Sequence, residues 1–169
     1  IDAYPVEVEV DIASRGLPFF FFFGLPDAAV KESKERVRAA LKNTGFDFPL
    51  KQVVVNLAPA DIKKEGSAFD LPIAIGMLIA EGILTQEMVN GYLIVGELSL
   101  DGRVKPVRGA LSMAVLAKKA GYRGMVIPED NAQEAAVVES VPIYGMQTLP
   151  QVVEFLAGAA LLDPVSINI

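Results

Sequence analysis

From residue 4 to residue 12 the chain alternates, with Val6, Val8, Val10 and Ile12 on one side and Glu7, Glu9 and Asp11 on the other. A period of two predicts a half-buried strand with one wet face. Ser14-Arg15-Gly16 reads as a turn, so residues 17–23 are expected to return as the second arm of an antiparallel hairpin. That arm holds five consecutive phenylalanines, 19–23, and is expected to be buried on both faces. After a Gly-Leu-Pro break the period changes to 3.6. Asp27 is a candidate N-cap, and Val30, Ser33, Val37, Ala40 and Leu41 form one stripe of a helix ending near Asn43. Residues 52–57 form a valine-rich strand. Residues 58–72 predict a loop, and residues 71–81 a helix that is apolar all round and therefore central. Pro72 fits its first turn, and Asp70 is the expected N-cap.

The second half is more regular. Residues 85–90 predict a short helical turn. Residues 92–107 predict a second hairpin around Asp101-Gly102. A helix over 110–120 is expected to turn Leu111, Val115 and Leu116 inward and to stop at Gly121. A strand (124–128), a helix (130–138), a strand (141–144) and a helix (149–156) capped by Thr148 follow. The element order predicts one α/β (α+β) domain, a mixed sheet with two hairpins and covering helices, over residues 1–158. Residues 159–169 read as an apolar tail or linker.

Composition removes most catalytic chemistry. The 169 residues include no Cys, no His and no Trp. That excludes zinc-finger and iron–sulfur ligation, thiol nucleophiles, disulfides and a Ser-His-Asp triad. The chain contains no P-loop sequence and no G-x-G-x-x-G after a strand. Asp61, Glu65 and Asp70 are spaced irregularly, so no metal is expected. No apolar run is long enough for a membrane helix, and acidic residues interrupt the first stretch, so no membrane partner or signal peptide is expected. The start at Ile1 suggests a fragment. One catalytic route survives, a Ser-Lys dyad. Ser67 and Ser112 are the candidate nucleophiles, with Lys63, Lys64 and Lys105 as candidate bases. A lysine base needs desolvation, whereas Lys63-Lys64-Glu65 reads as a wet loop.

Three runs carry a resemblance: GLPDAAVKESKERVRAALKNTGFDFP (24–49), VNLAPADIKKEGSAFDLPIAIGML (55–78) and VGELSLDGRVKPVRGAL (95–111). The chain resembles the N-terminal domain of the Mg-chelatase-related AAA+ ATPases of the competence-protein ComM and YifB type. That domain in turn is similar to the Lon protease catalytic domain, in the superfamily of a ribosomal-protein second domain. The resemblance implies a cytoplasmic, ATP-driven hexamer acting on DNA in branch migration during transformation. ATP and Mg2+ would belong to an AAA+ module absent from these residues, with no cofactor in this domain. Its partners would be that module, sister subunits, DNA and recombination proteins. The Lon similarity also implies positions for a dyad. Counted without gaps from Val95-Gly96-Glu97, the nucleophile position falls on Asp70 and the lysine position on Met113. Neither side chain can serve.

The expected function is therefore a noncatalytic assembly or substrate-engagement domain. Its candidate DNA or subunit contacts are Lys31, Lys34, Arg36, Arg38, Lys63 and Lys64. The net charge of −6 requires such contacts to be local or assembled by oligomerisation. The rivals are a Lon-type peptidase using Ser67 and a protein-interaction domain without DNA contact.

Overall fold

The computed structural model describes the backbone of residues 7–13, 20–23, 27–47, 52–58 and 66–167, and the side chains of residues 31–47 and 67–167. The first strand, β1 (Glu7–Ala13), does not form a hairpin with β2 (Phe20–Phe23). Both pair instead with β3 (Gln52–Ala58), in the order β1-β3-β2. β1 lies antiparallel to β3 and β2 parallel to it. The expected first hairpin is thus corrected, and the valine-rich β3 takes the centre. A central strand can stay apolar along its length, whereas the alternating β1 suits an edge with one wet face. The expectation for the covering of residues 19–23 concerns side chains outside the described ones.

The helix α1 (Asp27–Asn43) packs against the apolar helix α2 (Asp70–Ala80), which a 3-10 turn at Gly66–Phe69 introduces. The α1 stripe is as patterned, with Ser33, Val37, Ala40 and Leu41 buried, while Val30 lies outside the described side chains. In α2 every residue except Ile79 is buried. Asp70 is not the N-cap of α2. Phe69 holds that place without a side-chain cap, and Asp70 is the first helical residue. The backbone takes over capping, since the Leu71 N–H donates to the Gly96 carbonyl at 3.0 Å and Pro72 has no N–H to satisfy. The Asp70 carboxylate is free to turn elsewhere.

A short helix α3 (Gln86–Val89), capped by Thr85, leads to β4 (Tyr92–Ile94). β4 joins a parallel sheet with β7 (Gly124–Pro128) and β8 (Ile143–Met146), in the order β4-β7-β8. Only β5 (Glu97–Leu98) and β6 (Val104–Lys105) form the second hairpin. α4 (Ala110–Ala120) has the expected limits but a different inner face. Ala110, Ala114 and Ala117 are buried, whereas Leu111 and Val115 are exposed. α4 packs on β7 and on α5 (Glu129–Ala136), whose Ala132 and Ala135 are also buried. Small residues on both helices allow close approach, and that outweighs the larger side chains. Thr148 caps α6 (Leu149–Leu156), accepting from the Gln151 N–H.

Two apolar clusters result. One surrounds α2 and includes the inner residues of α1 and α6, with Val126 and Met146 from one face of the parallel sheet. The other lies between the opposite face of that sheet and α4 and α5. Beyond α6 the chain returns to the second cluster. The Val165 N–H donates to the Ile143 carbonyl at 2.7 Å, and Gln133 donates to the Ser166 carbonyl.

Candidate functional site

The most strongly constructed polar site lies where α1, α2 and β5 meet. An aspartate at the start of an all-apolar helix is bound to be buried, and a buried carboxylate requires donors. Asp70 is fully buried and has four. Ser33 Oγ donates to Oδ1 at 2.7 Å, and Arg36 Nη2 donates to the same oxygen at 3.1 Å. Arg36 Nε donates to Oδ2 at 2.7 Å, and the Leu98 N–H to the same oxygen at 3.1 Å. Each oxygen receives two bonds, which fills the carboxylate's acceptor capacity. Ser33 and Arg36 are three residues apart on α1, so one helical turn presents both. The paired side chains are 24% and 0% exposed, the arginine reaching inward from the surface.

The electrostatics follow from this packing. Burial pushes the Asp70 carboxyl above its ordinary range, while Arg36, Ser33 and the Leu98 N–H pull it back. The hydrogen bonds it donates to Asp70 hold the Arg36 guanidinium above its usual value, against its own partial burial. No lone pair of Asp70 remains for a metal. Among the described residues no group of three or more Asp or Glu side chains is arranged to hold one.

The other sequence-predicted residues are dispersed. Met113 is half-buried on α4 against the second cluster, whereas α2 belongs to the first. Ser67 is half-buried in the 3-10 turn and Ser112 half-buried on α4. Lys105 is exposed on β6 opposite Glu97, far from the desolvation a lysine base requires. Asp61, Lys63, Lys64 and Glu65 lie outside the described residues. On α1, Lys31 and Arg38 are exposed and Lys34 half-buried. Arg36 donates to Asp70 through Nε and Nη2 while its side chain stays 24% exposed. The Asp70 clasp itself went unrecognised in the sequence. Its signal was present, because an acid bound for burial needs a cation, and Arg36 follows Ser33 on the inner side of α1.

A sequence profile described as subunit ChlI of Mg-chelatase matches residues 8–131, a span that includes α1, the clasp and the β5–β6 hairpin. The chain belongs to the Mg-chelatase ChlI family. Within that family it is 44% identical over 158 residues to the competence protein ComM of Haemophilus influenzae, covering 94% of this chain and 31% of that protein. It is 42% identical over 163 residues to the uncharacterized protein YifB of Escherichia coli, covering 96% of this chain and 32% of YifB. The chain thus spans about a third of the length of the curated relatives it matches. It is also 27% identical over 125 residues to Lon protease 2 of Bacillus subtilis, covering 73% of this chain and 22% of that protein. The α/β architecture and this weaker similarity agree with a Lon-like domain within the Mg-chelatase ChlI family. Among the described residues no helix is long and apolar enough to cross a membrane.

Proposed function

We propose that this domain is the noncatalytic assembly and substrate-engagement part of an ATP-dependent hexameric AAA+ motor acting on DNA. The observation that carries the reading is the clasp. At the position that the Lon resemblance gives to a nucleophile stands a buried carboxylate with every acceptor site filled. A group so held is an anchor: it can neither attack a carbonyl nor exchange its partners without unpacking α1 from α2. Membership of the Mg-chelatase ChlI family supports an AAA+ context, with ATP and Mg2+ belonging to the ATPase module. The similarity to a competence protein supports DNA as the substrate, and in this reading the work is branch migration and its place the cytoplasm. Residues 1–158 would form the domain, and residues 159–169, of which Val165 packs back on β8, would lead toward the motor. Sister subunits and recombination proteins are the expected partners.

The proposed contacts are Lys31, Lys34, Arg36 and Arg38 on α1, of which Arg36 also holds Asp70, with Lys63 and Lys64 preceding α2 in the sequence. In the protein carrying both this domain and its ATPase module, Lys63→Glu with Lys64→Glu is expected to weaken DNA binding. The log–log salt slope should fall by about two, roughly one for each phosphate no longer neutralised. Unchanged affinity together with an unchanged oligomer distribution would overturn the role of these lysines. A fluorophosphonate probe is expected to leave Ser67 unlabelled. Labelling that disappears in Ser67→Ala would replace the noncatalytic reading with a peptidase.

A further inference from the structure

The N-terminal end of the parallel sheet carries a second cluster of distinctive chemistry. Tyr92 opens β4 and lies in register with Gly124, which opens β7. Tyr144 of β8 lies in register with Val126, two residues further along the same face. The two tyrosines therefore flank a position that has no side chain. A Cβ at Gly124 would lie 3.1 Å from the Tyr144 ring and 3.2 Å from the Tyr92 ring, so glycine lets the aromatics close over the strand. Phe155 of α6 completes the group, with ring centroids 4.5 Å from Tyr144 and 5.7 Å from Tyr92.

A cation is stacked on this row. The Arg123 guanidinium lies 4.1 Å from the Tyr92 ring centroid. The Arg123 backbone N–H donates to the Gly91 carbonyl at 2.9 Å, which fixes the turn that presents the side chain. Lys118 and Lys119 lie in the last turn of α4, immediately before that turn, and both are exposed, as is Arg123. Three cations thus fall within six residues of a chain whose net charge is −6. Arg123 also acts on Tyr144, ahead of Asp163, so the cation reaches both tyrosines of the row. A guanidinium held over a tyrosine ring joins a cation to an aromatic surface on which a base can stack, and adjacent lysines suit the phosphates on either side. An apolar partner would gain nothing from three solvated cations.

We propose that the N-terminal end of the β4-β7-β8 sheet is a contact site for single-stranded DNA, with a base stacked on the Arg123–Tyr92 pair and Lys118 and Lys119 meeting the flanking phosphates. The site lies apart in sequence from the α1 residues and from Lys63 and Lys64 proposed above. Only the choice of DNA over RNA rests on the motor reading.

Tyrosine emission provides a direct readout. The chain has four tyrosines and no tryptophan, and Tyr92, Tyr122 and Tyr144 all belong to this sheet or to the turn before β7. Titration of the 169-residue chain with oligo(dT) at low salt is expected to quench that emission. Arg123→Glu should weaken binding about tenfold or more, and Arg123→Gln by less, since stacking on one base is worth about 1–3 kcal/mol. Lys118→Glu with Lys119→Glu should lower the salt slope by about 1.4, from roughly 0.7 for each single-strand phosphate. All these side chains are exposed, so melting temperatures should stay close to the parent value. Absence of quenching in the parent chain, or equal affinity in all three variants, would overturn the site. Tighter binding of oligo(U) than oligo(dT) would overturn the choice of DNA. If these variants are silent while Lys63→Glu with Lys64→Glu weakens DNA binding by the ATPase-bearing protein, the site fails and the motor reading stands.

Discussion

Asp70→Ala is expected to destabilise the domain by about 4 kcal/mol, within the range seen when one partner of a buried ion pair is removed. For a domain of this size that corresponds to a fall in melting temperature of roughly 10 °C. The loss comes less from the missing attraction than from what is left behind. Arg36 keeps a guanidinium that is 24% exposed and no longer paired, and the Ser33 hydroxyl and the Leu98 N–H lose their acceptor. Asp70→Ser is expected to behave almost as badly and to gain no reactivity with a fluorophosphonate. Removing both charges should cost much less than removing one, so Asp70→Leu with Arg36→Met is expected to recover most of the stability. Equal melting temperatures for the parent and Asp70→Ala would show that the clasp is not a structural anchor.

The same clasp predicts a pH dependence in Arg36→Met. Burial already raises the Asp70 carboxyl above its ordinary value, and Arg36 is the strongest influence opposing that rise. Without the guanidinium the carboxyl rises further, so the folded state holds a proton that the unfolded chain has released. Between the ordinary carboxylate range and the raised value, stability of Arg36→Met should therefore increase as the pH falls. Chemical denaturation of parent and variant across that window measures the effect. A difference between them that does not change with pH would mean that Asp70 is not the titrating group.

The second large effect is expected at Gly102. This residue turns the β5–β6 hairpin with φ of +89°, and its backbone lies directly against the end of α1. A Cβ there would sit 2.3 Å from Cγ2 of Thr44, so a side chain brings both left-handed strain and overlap. Gly102→Ala should cost about 3 kcal/mol, close to the sum of those two contributions. They can be separated. Thr44→Ser removes the obstructing methyl, so the double variant should retain only the backbone penalty of about 1 kcal/mol. No recovery in the double variant would place the whole effect in the backbone.

Periodicity and turn chemistry identified most of the second half of the molecule. The limits of α4 and β7, the cap at Thr148 and the glycine stop at Gly121 all follow from local signals. Long-range choices were not legible. β1 and β2 look like a hairpin because Ser14-Arg15-Gly16 is a turn signal in the sequence, and only β3, with two edges to fill, reveals otherwise. On α4, hydrophobicity pointed to Leu111 and Val115, but the helix is seated by how closely alanines approach. The N-cap assignment of Asp70 fails because Phe69 holds that place and the Asp70 carboxylate turns to Ser33, Arg36 and the Leu98 N–H. A helix start seen in sequence says nothing about the Gly96 carbonyl that caps it from another part of the chain.

The order β1-β3-β2 also bears on biosynthesis. Neither of the first two strands can find its ladder partner until β3 has been made, and Glu7 must wait for Ala58. At about 5–20 residues per second, the phenylalanine run leaves the peptidyl-transferase centre roughly two to seven seconds ahead of Ala58. During that interval one of the stickiest segments of the chain has no native neighbour, which makes the nascent N-terminus a natural client for a ribosome-associated chaperone.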